Sequence, residues 1–259
     1  MSTQIIDGMV IETQGKGEAL LCIHGLGGSS NIWTPLLPAF ASFNLLRIDL
    51  PGSARSALPA DLLSIESYVA SVERVLDALD IDSVHIVAHS MGTIIAQHFA
   101  VKNPSRVKTL ALFGPLLAPP DAGRPGIHGR AKLCREQGVK GLQEIADAII
   151  KGATSEETKD SKPAVVALIR ESVMRQTPEG YAQSCEALAN AQPAQIEKIA
   201  VPVLLVTGQE DGVGSPEQVQ TMANRLDKPS VKILEGCGHW TTFEKPDECL
   251  IQLINFYNN

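Results

Sequence analysis

Short, almost continuously apolar runs alternate along the chain with stretches whose apolar residues recur every three or four positions. Such runs are typical of parallel strands covered on both faces: EALLCIHG, NLLRIDLPG, VHIVAHS, VKTLALFG, PVLLVTGQ and VKILEG. The intervening stretches predict helices; SIESYVASVERVLDALD, for example, places its apolar residues in one stripe. Before them, TQIIDG and MVIETQG predict two antiparallel strands that turn at Asp7-Gly8. The pattern predicts an α/β fold with a mostly parallel central sheet flanked by helices.

The alternation of strands and helices stops between residues 117 and 199. This stretch begins with LLAPPDAGRPGIHG and then shows helical patterns only, until VPVLLVTG resumes the strand pattern. A helical insertion between two strands predicts a cap over the carboxyl ends of the strands, where such sheets bind ligands. We therefore predict a core formed by residues 1–116 and 200–259, with residues 117–199 as the helical cap. The alternative is a separate helical domain, which the return of the chain to the sheet disfavours.

Composition and charge restrict the class of protein. Of the 259 residues, 44 % are hydrophobic and 20 % are charged, and the formal net charge is −7. The acidic excess argues against nucleic acid or an anionic membrane as the main partner. No apolar run approaches the roughly 18 residues of a spanning helix, and no signal-peptide pattern is visible. The five cysteines form no C-x-x-C pair, as is typical of free thiols in a reducing compartment. We expect a cytoplasmic protein.

Ser90 lies between a predicted strand and a predicted helix, in the small-x-Ser-x-small sequence AHSMG. A sharp turn there holds the serine backbone in a strained conformation, so that only small residues fit two positions before and after it. The usual form of this pattern begins with glycine, whereas this chain has Ala88. We interpret Ser90 as a nucleophile at the carboxyl edge of the sheet. The alternative is a loop serine that caps the helix.

A serine hydroxyl needs a base to take its proton, and His239 is the best candidate among the six histidines. It follows the last predicted strand, in EGCGHW, and precedes the final helix. The base needs a carboxylate that fixes its tautomer and stabilises its charged form. The glycine-rich turn after PVLLVTG supplies Asp211 for this role, with Glu210 as the alternative. A simple turn aspartate is the other interpretation of Asp211, because Asp-Gly is a common turn pair.

Backbone amides can stabilise the negative oxygen that forms when a serine attacks a carbonyl. The sequence IHGLGGSS follows the first predicted parallel strand, and its glycines let the backbone approach a substrate closely. We predict that the amides of Leu26 and Met91 form this oxyanion hole. Met91 begins a helix, whose free N–H groups and dipole favour negative charge. The alternative for the loop is a simple glycine turn.

Five segments of the chain together resemble the α/β-hydrolase fold family over essentially its whole length: HGLGG, DLPGSARS, AHSMG, TGQEDGVGSP and GCGHW. The order Ser90, Asp211, His239 is the order of this class. A serine at position 90 is unlike the dehalogenases and epoxide hydrolases of the family, which use aspartate there. The sequence AHSMGTIIAQHFAVKNPSRVKTLALFG and the segments GVKGLQEIADAIIKG and TPEGYAQSCEALANAQP resemble the 3-oxoadipate enol-lactonase group. The chain departs from that group in Thr93, where a second glycine is usual, and in a cap without tryptophan.

The resemblance to enol-lactonases implies a carboxylated substrate and a cation near the nucleophile. At the beginning of the predicted cap, GRPGIHGRAKLCRE supplies Arg124, Arg130 and Arg135, together with Lys132. A guanidinium group can hold a carboxylate through two parallel hydrogen bonds. The alternative for these residues is a solvated helix face.

Three aromatic residues are candidates for an apolar pocket beside the nucleophile: Trp33, Phe113 and Trp240. Trp33 follows the glycine loop and Trp240 follows the predicted base, although ordinary core packing is an equal alternative.

These features predict a serine hydrolase that cleaves a carboxylic ester or lactone through an acyl-enzyme. Neither a metal nor an organic cofactor is expected, because the chain has no ligand motif such as H-E-x-x-H. Two alternatives stay open. One is hydrolysis of a carbon–carbon bond by the same three residues. The other is a ligand receptor or binding module of this fold with slow or no turnover.

Overall fold

The computed structural model describes residues 2–258. Its strands form one eight-stranded sheet. In chain order the strands are β1 (Ser2–Ile6), β2 (Met9–Gln14), β3 (Ala19–Ile23), β4 (Asn44–Ile48), β5 (Val84–His89), β6 (Val107–Phe113), β7 (Val203–Gly208) and β8 (Ser230–Leu234). Across the sheet their order is β1-β2-β4-β3-β5-β6-β7-β8. The pairs β1–β2 and β2–β4 are antiparallel, and all other neighbouring pairs are parallel. The predicted fold class and the hairpin at Asp7-Gly8 are confirmed.

Helices fill the connections between the strands. They are α1 (Ile65–Ala78), α2 (Met91–Lys102), α3 (Arg124–Gln137), α4 (Val139–Ala153), α5 (Glu156–Ser161), α6 (Pro163–Met174), α7 (Pro178–Ala189), α8 (Pro216–Ala223), α9 (Thr241–Glu244) and α10 (Pro246–Asn258). Turns of 3₁₀ helix cover Ser30–Phe40, Pro104–Arg106 and Ile196–Lys198. Within residues 2–258, no helix combines the length and apolar character that crossing a bilayer requires.

The sheet is covered by apolar packing on both faces. Successive side chains of a strand point to opposite sides, so each strand contributes to both clusters. In β3, Leu21 and Ile23 belong to an apolar cluster that includes side chains of α1, α2 and α8. Their neighbours Leu20 and Cys22 belong to a second cluster with the 3₁₀ helix at Ser30–Phe40, α4 and α10. Continuous burial on two faces explains why the strands are continuous apolar runs and do not alternate with polar residues.

The chain between β6 and β7 contains α3 to α7 and one 3₁₀ turn. Helix α3 packs against α7 and α4, and α4 packs against α6. Helix α6 also contacts α9, which lies beyond β8 in the chain. These helices occupy most of residues 117–199, for which we predicted a cap; the boundaries of core and cap stay a prediction.

Within the described residues, six connections leave the carboxyl edge of the parallel strands. They follow β3, β4, β5, β6, β7 and β8. Parallel strands bring the carboxyl ends of neighbouring strands to one edge of the sheet, so residues far apart in sequence meet there. Ser90 comes directly after β5, Asp211 three residues after β7 and His239 five residues after β8.

Two leucines test how the apolar core stabilises the fold. Leu205 lies in β7 with no exposed surface, whereas Leu62 lies in a loop with 75 % of its surface exposed. We expect Leu205→Ala to lower the free energy of unfolding by about 2–5 kcal/mol, because it removes buried methyl groups and leaves a cavity. Leu62→Ala should change it by less than about 0.5 kcal/mol. Urea unfolding of both variants measures the difference, and equal effects would contradict the assignment of Leu205 to the core.

Candidate active site

Ser90 occupies a sharp turn between β5 and α2. Its backbone has φ +52° and ψ −125°, a conformation that costs a non-glycine residue free energy and persists only where surrounding contacts impose it. The Ser90 amide donates to the carbonyl of Phe113 at 3.0 Å, which ties the turn to β6. At Gly92, a Cβ atom would lie 2.5 Å from the carbonyl oxygens of both Ile23 and His24. The end of β3 therefore approaches the turn so closely that position 92 has no room for a side chain.

The side chains of Ser90, His239 and Asp211 form one hydrogen-bonded chain. His239 Nε2 lies 2.8 Å from Ser90 Oγ, and His239 Nδ1 lies 2.8 Å from Asp211 Oδ2. The carboxylate can only accept, so Nδ1–H donates to Asp211 and leaves Nε2 free to accept the serine hydrogen. All three residues are buried. Glu210, the alternative acid, is exposed, and its Oε2 accepts a hydrogen bond from the Glu156 amide instead.

Asp211 is held by donors on both carboxylate oxygens. The amides of Val213 and Gly214 donate to Oδ1 at 2.7 and 2.8 Å, and the Thr207 hydroxyl donates to Oδ2 at 3.1 Å. Burial by itself raises the pKa of Asp211, but His239 and the two amides outweigh burial and lower the pKa to about 2. Asp211 is therefore ionised at neutral pH and can stabilise a protonated His239.

The backbone of His239 is held from two sides. Its amide donates to the carbonyl of Ala153 at the end of α4, at 2.9 Å. His89 Nε2 lies 2.8 Å from the His239 carbonyl oxygen and must carry the proton of this bond, because a carbonyl only accepts. Burial, followed by the neighbouring His239, lowers the pKa of His89 to about 3. A neutral His89 therefore supports the loop that carries His239.

The loop after β3 is shaped by His24. The Leu50 amide donates to His24 Nε2 at 2.9 Å, and His24 Nδ1 donates to the Gly25 carbonyl at 2.7 Å. Burial lowers the pKa of His24, so the imidazole stays neutral and keeps both bonds. Among residues 2–258, the amides of Leu26 and Met91 donate to no protein acceptor. Both are therefore available to a ligand, as the predicted oxyanion hole requires.

A cavity of about 270 Å³ opens beside Ser90 and His239. Its wall is mainly apolar and is built from the loop after β3, the segment before α3, helices α3, α4 and α7, the loop after β7 with α8, and the loop of His239: Leu26, Leu116, Pro119, Pro120, Gly123, Ile127, Arg130, Ile149, Ala153, Tyr181, Leu188, Gly212, Val213, Gln218 and Trp240. Arg130 and Trp240 are the predicted substrate-binding residues that the structure brings to this cavity. Arg130 is half-buried, and within the described chain it has no ion pair or hydrogen bond.

The other two predicted arginines have partners away from the cavity. Arg124 donates to the carbonyls of Ala189 and Ala191, and its Nε lies 3.2 Å from Asp121 Oδ1. Arg135 forms paired hydrogen bonds with Glu179 and with Glu186 and so joins α3 to α7. Both guanidinium groups serve the packing of the helices, and neither side chain lines the cavity as the structure describes it.

Two predicted aromatic residues also lie elsewhere. Trp33 and Phe113 are fully buried and pack edge to face, with ring centroids 6.3 Å apart. Neither belongs to the described cavity wall. The pair fills the core on the face of the sheet that carries the 3₁₀ helix at Ser30–Phe40, so the packing alternative describes their position.

Sequence reasoning missed three polar residues that support the site. The first is His89, described above, and the second is Thr93. The Thr93 hydroxyl donates to the Ser90 carbonyl at 2.7 Å and accepts from the Leu116 amide at 3.1 Å. The third is Glu244, which is 1 % exposed. Its carboxylate accepts hydrogen bonds from the amides of Gly238 and Trp240, on either side of His239. No local pattern marks these residues, because each also depends on a partner in a distant segment: His239 for His89, Leu116 for Thr93 and Ser155 for Glu244. Thr93 looked only like a departure from the enol-lactonase pattern.

The chain is similar in sequence and in structure to known proteins. Residues 18–134 match a family model described as alpha/beta hydrolase fold. The chain is 27 % identical over 239 residues to 3-oxoadipate enol-lactonase 2 of Acinetobacter baylyi, covering 90 % of this chain and 86 % of that protein. It is 26 % identical over 257 residues to the 2-hydroxy-6-oxononadienedioate/2-hydroxy-6-oxononatrienedioate hydrolase of Paraburkholderia xenovorans, covering 93 % and 88 %. A thermophilic esterase of Thermogutta terrifontis, solved with malate bound, matches with TM-score 0.92 and 21 % identity over 100 % of this chain and 98 % of that one.

The eight-stranded sheet and the arrangement at its carboxyl edge are those of the α/β-hydrolase fold. The match of residues 18–134 to the family model and the similarity to 3-oxoadipate enol-lactonase 2 support a relationship to the α/β-hydrolase family. The family resemblance predicted from the sequence motifs is thereby confirmed, and the named relatives are hydrolases.

Gly92 and Gly129 form a matched pair for testing the turn at Ser90. A methyl group at Gly92 meets two carbonyl oxygens, whereas a methyl group at Gly129, in α3, meets no atom within 4 Å. We expect Gly92→Ala to displace Ser90 and to lower kcat/KM for p-nitrophenyl acetate on the order of 100-fold. Gly129→Ala should keep the wild-type kcat/KM and gain about 0.5–1 kcal/mol in the free energy of unfolding. Normal turnover by Gly92→Ala would contradict the close approach of β3.

Proposed function

We propose that the protein is a serine hydrolase that cleaves a small carboxylic ester or lactone bearing a free carboxylate. The observation that carries this proposal is the hydrogen-bonded chain Ser90–His239–Asp211 at the wall of a cavity that also contains an unpaired guanidinium group, that of Arg130. Each group of the site has a role in acyl transfer: a nucleophile, a base, a carboxylate that orients the base, and two amides that hold the oxyanion.

In the first half of the reaction, Ser90 Oγ attacks the acyl carbon while His239 Nε2 takes the hydroxyl proton. Asp211 stays ionised and stabilises the imidazolium that results. The amides of Leu26 and Met91 hold the negative oxygen of the tetrahedral intermediate, and each such donor typically contributes about 3 kcal/mol to the transition state. The intermediate collapses when the C–O bond breaks and His239 returns its proton to the leaving oxygen. In a lactone, that oxygen stays attached to the acyl group.

In the second half, a water molecule replaces the serine hydroxyl. His239 takes a proton from water as the water attacks the acyl-enzyme, and then returns a proton to Ser90 Oγ. The same two amides hold the oxyanion again. The cycle needs no further group, because one base, one carboxylate and one pair of amides serve both halves.

Arg130 supports an anionic substrate. A charged guanidinium beside a mainly apolar wall lacks the counter-ion that a buried charge ordinarily has. A substrate carboxylate would supply that partner through charge-assisted hydrogen bonds. The relatives point in the same direction: the names of two of them include oxoadipate and dienedioate, and the esterase structure contains malate. The cavity of about 270 Å³ favours a compact substrate.

A second candidate function is hydrolysis of a carbon–carbon bond in a vinylogous diketone. The relative from Paraburkholderia xenovorans, 26 % identical over 93 % of this chain, favours it, because that protein is a hydrolase of 2-hydroxy-6-oxononadienedioate and 2-hydroxy-6-oxononatrienedioate. Purified protein offered a p-nitrophenyl ester, a lactone and a vinylogous diketone in competition separates the two functions. Preference for the diketone in kcat/KM would overturn the ester or lactone proposal.

The role of Ser90 is tested by Ser90→Ala. We expect turnover of esters and lactones to disappear while the urea unfolding curve stays close to that of the wild type, because the change removes only the nucleophile. Ser161→Ala, on the exposed face of α5, is the control and should keep full activity. Repeated turnover by the wild type separates an enzyme from a receptor that reacts once. Substantial hydrolysis by Ser90→Ala would remove the basis of the proposal.

The role of Arg130 is tested by Arg130→Met, assayed with a carboxylated ester and its neutral methyl-ester counterpart. We expect kcat/KM for the carboxylated substrate to fall about 10- to 100-fold, the usual effect of losing a charged hydrogen bond, with the neutral substrate unaffected. Lys132→Met provides the control, because Lys132 lies on the same helix with 74 % of its side chain exposed. Equal losses on both substrates would show that Arg130 does not recognise the carboxylate.

A further inference from the structure

Glu244 ends the short helix α9 with a carboxylate that is almost completely buried. Four donors converge on its two oxygens. Oε1 accepts the Trp240 amide at 3.0 Å. Oε2 accepts the Gly238 amide at 3.1 Å, the Ser155 amide at 2.9 Å and the Thr158 hydroxyl at 2.9 Å. These bonds offset the cost of removing a charged group from water.

The four donors come from two separate parts of the chain. Gly238 and Trp240 flank His239 on either side, so Glu244 holds the backbone immediately before and after the imidazole. Ser155 and Thr158 belong to the helical insertion, at the beginning of α5. The carboxylate therefore joins the loop of His239 to the insertion through the same pair of oxygens.

Three further contacts bind the same two segments together. The His239 amide donates to the Ala153 carbonyl at 2.9 Å. A Cβ atom on Gly238 would lie 2.7 Å from the Thr154 Cα atom, so the two backbones touch. Lys162 Nζ donates to the Glu244 carbonyl at 2.8 Å. The position of the His239 loop thus depends on residues 153–162 as well as on the sheet.

We propose that Glu244 is a positioning residue for His239, which it holds against residues 153–158 of the insertion so that the imidazole reaches Ser90 Oγ. Because this role acts through His239, it rests on the proposed function. A movement of the insertion away from the sheet would remove two of the four donors from Glu244. The same movement would leave Glu244 bonded only to Gly238 and Trp240, so the His239 loop would lose its attachment to the insertion through this carboxylate.

Glu244→Gln tests the proposal with almost no change in volume. A glutamine has one acceptor oxygen and one NH₂ group, so at least one of the N–H groups around it faces another donor. If the glutamine oxygen faces Ser155, Thr158 and Gly238, the glutamine NH₂ group faces the Trp240 N–H group. The two donors then repel each other. We expect kcat, normalised to the number of active sites, to fall on the order of 10- to 100-fold, as a small misplacement of a catalytic group does. KM should stay unchanged.

A proton NMR signal reports the same event without turnover. The His239 Nδ1–H group, bonded to Asp211, gives a downfield resonance that depends on the position of the imidazole. We expect this resonance to shift or broaden in Glu244→Gln. A general loss of stability would lower the fraction of folded protein but leave the signal of the folded molecules in place. An unchanged resonance together with wild-type kcat overturns the proposal.

Glu157→Gln is the matched control. Glu157 also links α5 to the segment after α9, through Lys245 Nζ at 2.8 Å, and it pairs with Lys162 Nζ at 2.8 Å, but it is exposed and accepts no hydrogen bond from Gly238 or Trp240. It should keep both kcat and the resonance. Equal losses in Glu157→Gln and Glu244→Gln would mean that any contact between the two segments matters, which overturns the specific role of Glu244.

Thr158→Val decides the question if Glu244→Gln does not fold. It removes one bond from the insertion and leaves both bonds to the His239 loop intact. We expect a smaller loss of kcat and a measurable change in the resonance; wild-type values of both overturn the link to the insertion. Ser90→Ala, assayed in parallel, keeps the two proposals apart. Full activity in Ser90→Ala contradicts the proposed function, whereas an inactive Ser90→Ala beside a fully active Glu244→Gln contradicts only this inference.

Discussion

The hydrogen bond between Ser90 Oγ and His239 Nε2 joins side chains that are 149 residues apart, and much of the surrounding structure serves to form it. The strained backbone at Ser90 persists because β3 and β6 pack against the turn from both sides. The imidazole is held by neighbours of a different kind: a carboxylate at its Nδ1, a neutral histidine at its carbonyl and the end of α4 at its amide. A side chain restrained at so many points loses little freedom when it reacts.

Buried polar groups in this region are each matched to partners that select one charge state. Asp211 is ionised because His239 and two amides oppose the effect of burial, whereas His24 and His89 are neutral because burial dominates. Glu244 accepts four hydrogen bonds in a place where an unpaired carboxylate would be costly. The low-dielectric surroundings strengthen each of these interactions.

Tertiary contacts give three arginines of one helix different surroundings. Arg124, Arg130 and Arg135 are chemically equivalent in the sequence, and each could hold a carboxylate. Arg124 is used by the backbone carbonyls after α7, and Arg135 is used by two glutamates of α7. Arg130 alone among the three lines the cavity, and within the described residues its guanidinium group forms no ion pair or hydrogen bond. The distinction depends on α7, which begins 48 residues beyond Arg130 in the chain.

Local patterns in the sequence were sufficient for the strands, the hairpin, the helical stretch after β6 and the candidate residues Ser90, Asp211 and His239. These features are short-range: apolar runs specify strands covered on both faces, and small residues around a serine specify a tight turn. Tertiary structure decided what no short-range pattern contains. It placed Asp211, and not Glu210, beside His239 Nδ1, put Trp33 and Phe113 in the core, and brought His89, Thr93 and Glu244 to their partners. The physical reason is that a hydrogen bond or a cavity wall depends on segments that become neighbours only when the sheet assembles.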